Sequence, residues 1–133
     1  MLLYPRHMTK GELQYLAGFF DGEGSAGLYY SKSKKSWKAQ IEIVQVITRR
    51  VEKDFSDWAQ YFDGNVYIQK RNGFQTTVRL TIRSRHSLLQ FIDALVPYTK
   101  FKTQQLRLIR NWLDGKDYSY RTAQLLRTLK RPA

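Results

Sequence analysis

The sequence predicts an α+β fold. The expected order is αββαββα, with one antiparallel four-stranded sheet, helices on one of its faces and extra C-terminal helices. Three observations lead there. Segments of helical period alternate with pairs of segments of strand period. Short polar turns join the members of each pair, which makes them hairpins rather than crossovers. Each strand is apolar on one side only, so the helices must share one sheet face. With 133 residues and 42% apolar content the chain can bury a substantial core.

Thr9 followed by Glu12 forms a capping-box pattern. The first helix is expected over about 10–21, with Leu13, Leu16, Ala17 and Phe20 at helical spacing and Gly22 and Gly24 ending it. A strand over about 25–31 turns Ala26, Leu28 and Tyr30 inward. The cationic turn "SKSKKS" leads into a second strand, where Ala39, Ile41, Ile43 and Gln45 alternate with Gln40, Glu42 and Val44. A second helix is expected over 49–62, on the stripe Val51, Phe55, Trp58 and Phe62. "FDGN" is a turn. The next strand points Val66 and Ile68 inward, "RNG" makes a tight hairpin, and the return strand points Val78, Leu80 and Ile82 inward. Helices follow over about 87–95 and 103–113, and residues 118–130 add a short basic helix. The whole chain, 1–133, reads as one domain, with 113–133 a basic C-terminal extension.

Composition narrows the function. Lys and Arg number 23 against 11 acids, a net charge of +12. That imbalance favours a polyanionic partner and says nothing about fold. The basic residues do not line one amphipathic helix, which argues against a membrane surface. No apolar run approaches the roughly 18 residues of a membrane span. "MLLY", followed by Pro5 and Arg6, is too short for a secretion signal, so an intracellular location is expected: cytoplasm, nucleoid or organelle matrix. The absence of cysteine removes disulfides, thiol nucleophiles and thiolate zinc sites. No Ser–His–Asp arrangement is readable and no organic cofactor is expected. The outward strand positions carry Arg, Gln, Thr and Tyr with almost no acid except Glu42, which marks a binding surface. Arg and Gln are the side chains suited to guanine and adenine edges.

"LAGFFDGEG", Leu16 to Gly24, resembles the LAGLIDADG motif of homing endonucleases. Leu16, Ala17, Gly18, Asp21 and Gly24 are identical to it. The resemblance extends over nearly the whole chain through the order of elements. It implies a metal-dependent double-stranded DNA endonuclease whose motif helices pack side by side on a two-fold axis. Leu16, Ala17, Gly18, Asp21 and Gly22 are then interface candidates, and Gly18 and Gly22 share a helix face four residues apart. Acids at a helix C-terminus oppose the macrodipole, and a hard divalent cation would compensate them. The resemblance places Mg²⁺ or Mn²⁺ on Glu23, with Gly22 lending its carbonyl. Gln45 matches a glutamine that holds the water network. Lys102, in "VPYTKFKTQQ", matches a lysine that approaches the scissile phosphate, and either Arg49 or Arg50 matches a basic residue of the rim. Only one motif is present, so the resemblance implies a homodimer on a pseudo-palindromic target, with a joint charge of +24.

Tyr29, Ser31, Gln40, Glu42, Tyr67, Gln69, Arg71, Gln75, Thr77, Arg79, Thr81 and Arg83 form the expected base-facing set. Lys32, Lys34, Lys35 and Lys38 are expected at phosphates. Two rival functions stand beside cleavage. One is a non-cleaving relative, an RNA maturase or transcription regulator. The other is an unrelated basic RNA-binding domain.

Overall fold

The computed structural model describes residues 8–70, 72–115 and 118–130. "MLLY", Pro5, Arg6 and Arg71 lie outside the described residues. Nine elements follow in order: α1 (Lys10–Glu23), β1 (Gly24–Ser31), β2 (Ser36–Val46), α2 (Arg49–Phe62), β3 (Asn65–Gln69), β4 (Thr77–Ile82), α3 (Arg85–Leu95), α4 (Thr103–Gly115) and α5 (Ser119–Lys130). The strands form one antiparallel sheet in the order β1-β2-β4-β3. The two hairpins therefore meet in the middle, β2 against β4, and the α+β expectation holds.

Local chemistry starts the helices. Thr9, Thr48 and Ser84 cap α1, α2 and α3, each accepting a backbone N–H three residues on. Asp63, in the left-handed region at φ 54°, ends α2. Gly64 follows because a Cβ there would lie 2.8 Å from the backbone oxygen of Thr81.

The core lies between the sheet and the helices. Phe20, Phe55, Phe62 and Phe91 are fully buried, with Phe91 edge-on to both Phe20 and Phe62. Tyr15 and Phe19 of α1 pack on Trp58 of α2 at centroid distances of 5.7 and 5.5 Å. α5 packs on β1, and its Ala123 and Leu126 join the core. The basic C-terminal segment thus extends the helical layer over β1.

Several expectations are corrected. α1 does not stop at Asp21 but continues through Gly22 to Glu23. An interior glycine costs only about 1 kcal/mol, which core packing outweighs. Gly24 then turns into β1 with an extended backbone, where a Cβ would strike the Phe20 ring at 2.1 Å. Tyr30 and Ile68, expected inside, are 48% and 52% exposed. Tyr30 rests edge-on against Trp37 instead, and Ile68 sits on the edge strand β3. The β3–β4 connection is longer than a tight hairpin, and Gln75 lies in it rather than on a strand.

Candidate active site and nucleic-acid interface

The end of α1 gathers the candidate catalytic residues. Glu23 is the last residue of the helix and is exposed. Lys102 comes from just before α4. Its Nζ donates to the carbonyl of Phe20 at 3.3 Å and to that of Gly24. A cation thus sits on the negative end of the α1 dipole, the compensation that the acids of the helix end require. Burial pushes the Lys102 ammonium below its ordinary pKa, while Asp21 and Glu23 oppose that shift. Two of its three N–H groups go to carbonyls, which leaves one for a ligand.

Gln45 belongs to the same end of the sheet. Gly24 pairs with Ile43, and Gln45 lies two residues further along β2. Its Oε1 accepts from the Val46 N–H at 2.8 Å, so the amide nitrogen is the end left to donate.

Asp21, an interface candidate beside Gly18 and Gly22, braces its own chain. Its carboxylate accepts the backbone N–H groups of Lys100, Phe101 and Lys102 at 2.7, 3.1 and 2.9 Å. It therefore ties the approach to α4 onto α1 and carries Lys102 with it. Leu16 and Ala17 are corrected as interface residues, since both are 0% exposed and belong to this chain's own core. The open side of α1 instead carries Gly18 and Gly22, where an added Cβ would meet nothing within 4 Å. A groove of about 620 Å³ lies there, lined in part by Gln14, Asp21, Pro97 and Phe101. Phe101 is 83% exposed and carried no signal in the sequence beyond its hydrophobicity in a polar stretch.

The two arginine candidates sit in different surroundings. Arg50 donates to both carboxylate oxygens of Asp54, which also accepts from the Tyr15 hydroxyl at 2.8 Å. The Arg50 guanidinium also lies over the Tyr15 ring. This network joins α1 to α2 through the Arg50 Nε, while the Arg50 side chain stays largely exposed. Arg49, at the first position of α2, is exposed and forms no ion pair among the described residues.

The sheet face away from the helices carries the expected polar set. Gly27 stands opposite Gln40, Tyr29 opposite Lys38, Tyr67 opposite Arg79, and Gln69 opposite Thr77. Ser31 closes β1 beside the turn of Lys32, Lys34 and Lys35, whose three lysines are exposed. Thr81, expected to face a base, is corrected: it is 0% exposed and its Oγ1 lacks a hydrogen-bond partner. It lies between Glu42 and Asn65 in register and between Arg79 and Arg83 along the chain, beneath longer side chains. Lys130 was missed in the sequence. From the end of α5 its Nζ comes within 3.6 Å of where a Cβ on Gly27 would stand. Burial and the neighbouring Lys102 push its pKa down, against a pull from Glu42.

Comparison with known proteins supports one family. The family model described as LAGLIDADG endonuclease matches residues 16–114. A probable intron-encoded endonuclease, aI2 of Debaryomyces hansenii, is 30% identical over 130 residues, covering 87% of this chain and 19% of that protein. The chain therefore spans about a fifth of the length of this curated relative. The homing endonuclease I-CvuI, solved with its target in the presence of Ca, superposes at a TM-score of 0.69 with 20% identity, covering 92% of this chain and 83% of that one. An archaeal intron-encoded homing endonuclease complexed with DNA gives 0.70 at 15% identity, covering 92% and 86%. At such identities these two structures speak for the fold alone.

Proposed function

The chain belongs to the LAGLIDADG endonuclease family, and from that premise we propose that it cuts double-stranded DNA at a specific site. It acts as a homodimer on a pseudo-palindromic target and uses Mg²⁺ or Mn²⁺. The observation that carries this reading is an exposed Glu23 at the end of α1 with Lys102 bonded to the Gly24 carbonyl beside it; Gln45, two residues past the strand partner of Gly24, supports it. An RNA maturase or transcription regulator would need the sheet face but not an exposed acid at the α1 terminus.

The donor chemistry fits a hard cation. Among the described residues no three His, Cys, Asp or Glu converge into a closed cage. Glu23 and the Gly22 carbonyl would hold the ion from one chain, and the phosphate would supply further oxygens, as Mg²⁺ sites in phosphoryl chemistry do. When bound, the ion lowers the pKa of a water and neutralises charge on the leaving oxygen. Lys102, clamped by two carbonyls, keeps its remaining N–H for a non-bridging phosphate oxygen, where negative charge gathers in the transition state. Gln45 donates through its nitrogen to the attacking water. Arg49 supplies a second cation at the rim.

One Glu23 per chain cannot serve two strands, so a second copy is required. Gly18 and Gly22 let a partner helix approach closely, and Phe101 stands beside them ready to be covered. The test is incubation of the protein with supercoiled plasmids carrying a randomised insert in Mg²⁺. Linear product from a few related sequences is expected. A Glu23→Gln protein that still linearises them would sink the assignment.

A further inference from the structure

Glu42 is the one acid in the four strands, and it stands in the middle of the face that carries the basic and amide side chains. Its Oε2 accepts from Gln40 Nε2 at 2.9 Å and from Arg79 Nη1 at 3.2 Å. Gln40 Oε1 in turn accepts from Arg83 Nε at 2.9 Å. A continuous relay, Arg83 to Gln40 to Glu42 to Arg79, therefore crosses β2 and β4. The Glu42 side chain is only 20% exposed, and that of Arg79 37%.

We propose that Glu42 is a positioning residue for base recognition: it locks Gln40, Arg79 and Arg83 into one pre-set pattern of donors and acceptors, and does not read a base itself. The proposal rests on the reading of this face as a DNA-binding surface. A glutamine amide can turn over, exchanging its oxygen and nitrogen, and only its partners decide which way it points. Here both ends are decided. A flipped Gln40 would set oxygen against the Glu42 carboxylate and nitrogen against the Arg83 donor, repulsive at both ends. The locked amide retains one N–H and one lone pair, the pair that an adenine edge accepts. Arg79 and Arg83 each spend one N–H on the relay and keep the rest of the guanidinium for a guanine edge. The carboxylate also holds two neighbouring arginines on one face that would otherwise repel each other. From β1 only Gly27 stands opposite Gln40 and the small Ser25 opposite Glu42, and Lys130 reaches the Gly27 position. Oε2 receives both bonds from within the sheet, so a direct reading of cytosine would fall to Oε1, and the selection below separates that role from positioning.

The experiment is selection from duplexes randomised over the target length, with the full chain and EDTA so that no cutting intervenes. Compared are the wild type, Glu42→Ala, the isosteric Glu42→Gln, Gln40→Ala, Arg79→Ala and the Gln40→Ala/Glu42→Ala double variant. For Glu42→Ala we expect discrimination to fall roughly tenfold at two or more base pairs, the scale of one good bidentate contact. One of these must be the pair that Gln40→Ala also loses, and the double variant loses no more there than Gln40→Ala alone. Affinity for mixed-sequence duplex is expected unchanged or higher, because a negative charge has left the surface. Glu42→Gln, which keeps an acceptor, should fall between. Loss at a single base pair that Gln40→Ala and Arg79→Ala leave intact would make Glu42 a direct reader and overturn the proposal. So would uniform weakening on all duplexes, or selectivity unchanged in both Glu42 variants. A wild type with no sequence preference is a separate outcome, which removes the DNA reading itself.

Discussion

Replacing Asp21 separates bracing from interface roles. Its two oxygens divide the work: Oδ1 accepts from Phe101 and Lys102, and Oδ2 accepts from Lys100. Hydrogen bonds to a charged acceptor are worth about 1.5–3 kcal/mol each when buried. Two of these three are solvent-exposed and are worth about 0.5–1 kcal/mol apiece, the part-buried third about 1–1.5 kcal/mol, and Asp21→Ala should cost about 2–3.5 kcal/mol. At roughly 3–5 °C per kcal/mol for a chain of this length, the melting temperature should drop by about 10 °C. Asp21→Asn keeps one oxygen for Phe101 and Lys102 and loses only the Lys100 bond, so it should cost about 1 kcal/mol. The assay is thermal unfolding by circular dichroism at fixed protein concentration, beside single-turnover cleavage. Cleavage should fall in the same order, since the braced segment carries Lys102. Equal melting temperatures for all three proteins would refute the bracing argument. An Asn variant as damaged as the Ala variant would refute the division between the two oxygens.

Gly18→Leu adds a side chain where this chain has only open space, so the monomer should fold with unchanged or slightly higher helix stability. Sedimentation should show it shifted from dimer to monomer, with cleavage abolished. Tyr15→Phe removes the 2.8 Å bond to Asp54 and should cost about 0.5–1 kcal/mol after discounting for exposure. Burial, then the Asp54 hydrogen bond, raises the Tyr15 pKa above its ordinary 10.0. The gap between the two proteins in urea unfolding should therefore be full below pH 10 and close as pH rises through the raised value. Replacing Lys32, Lys34 and Lys35 by Ala should reduce the slope of log K against log salt by up to about 0.9 for each phosphate no longer neutralised. Sequence preference, measured on the same duplexes, should stay as in the wild type.

The sequence by itself determined the order of elements, the inward stripes of the helices and the polar character of one sheet face. These are properties of short-range periodicity, legible wherever apolar residues recur at 2 or 3.6 positions. α2 was legible to its ends because Thr48 and Asp63 punctuate it locally. The motif residues from Leu16 to Gly24 were legible as a family pattern, but their division of labour was not. That division depends on what each side chain meets from elsewhere in the chain. Asp21 meets backbone some eighty residues away, Arg50 turns to Asp54 and Tyr15, and Thr81 disappears beneath its longer neighbours. Lys130 reaches over Gly27 only because α5 packs on β1. Only the tertiary structure decides such partners, because a charged or amide side chain takes whichever group of opposite hydrogen-bonding character packing brings within about 3 Å. Nothing in its own neighbourhood of sequence specifies that group.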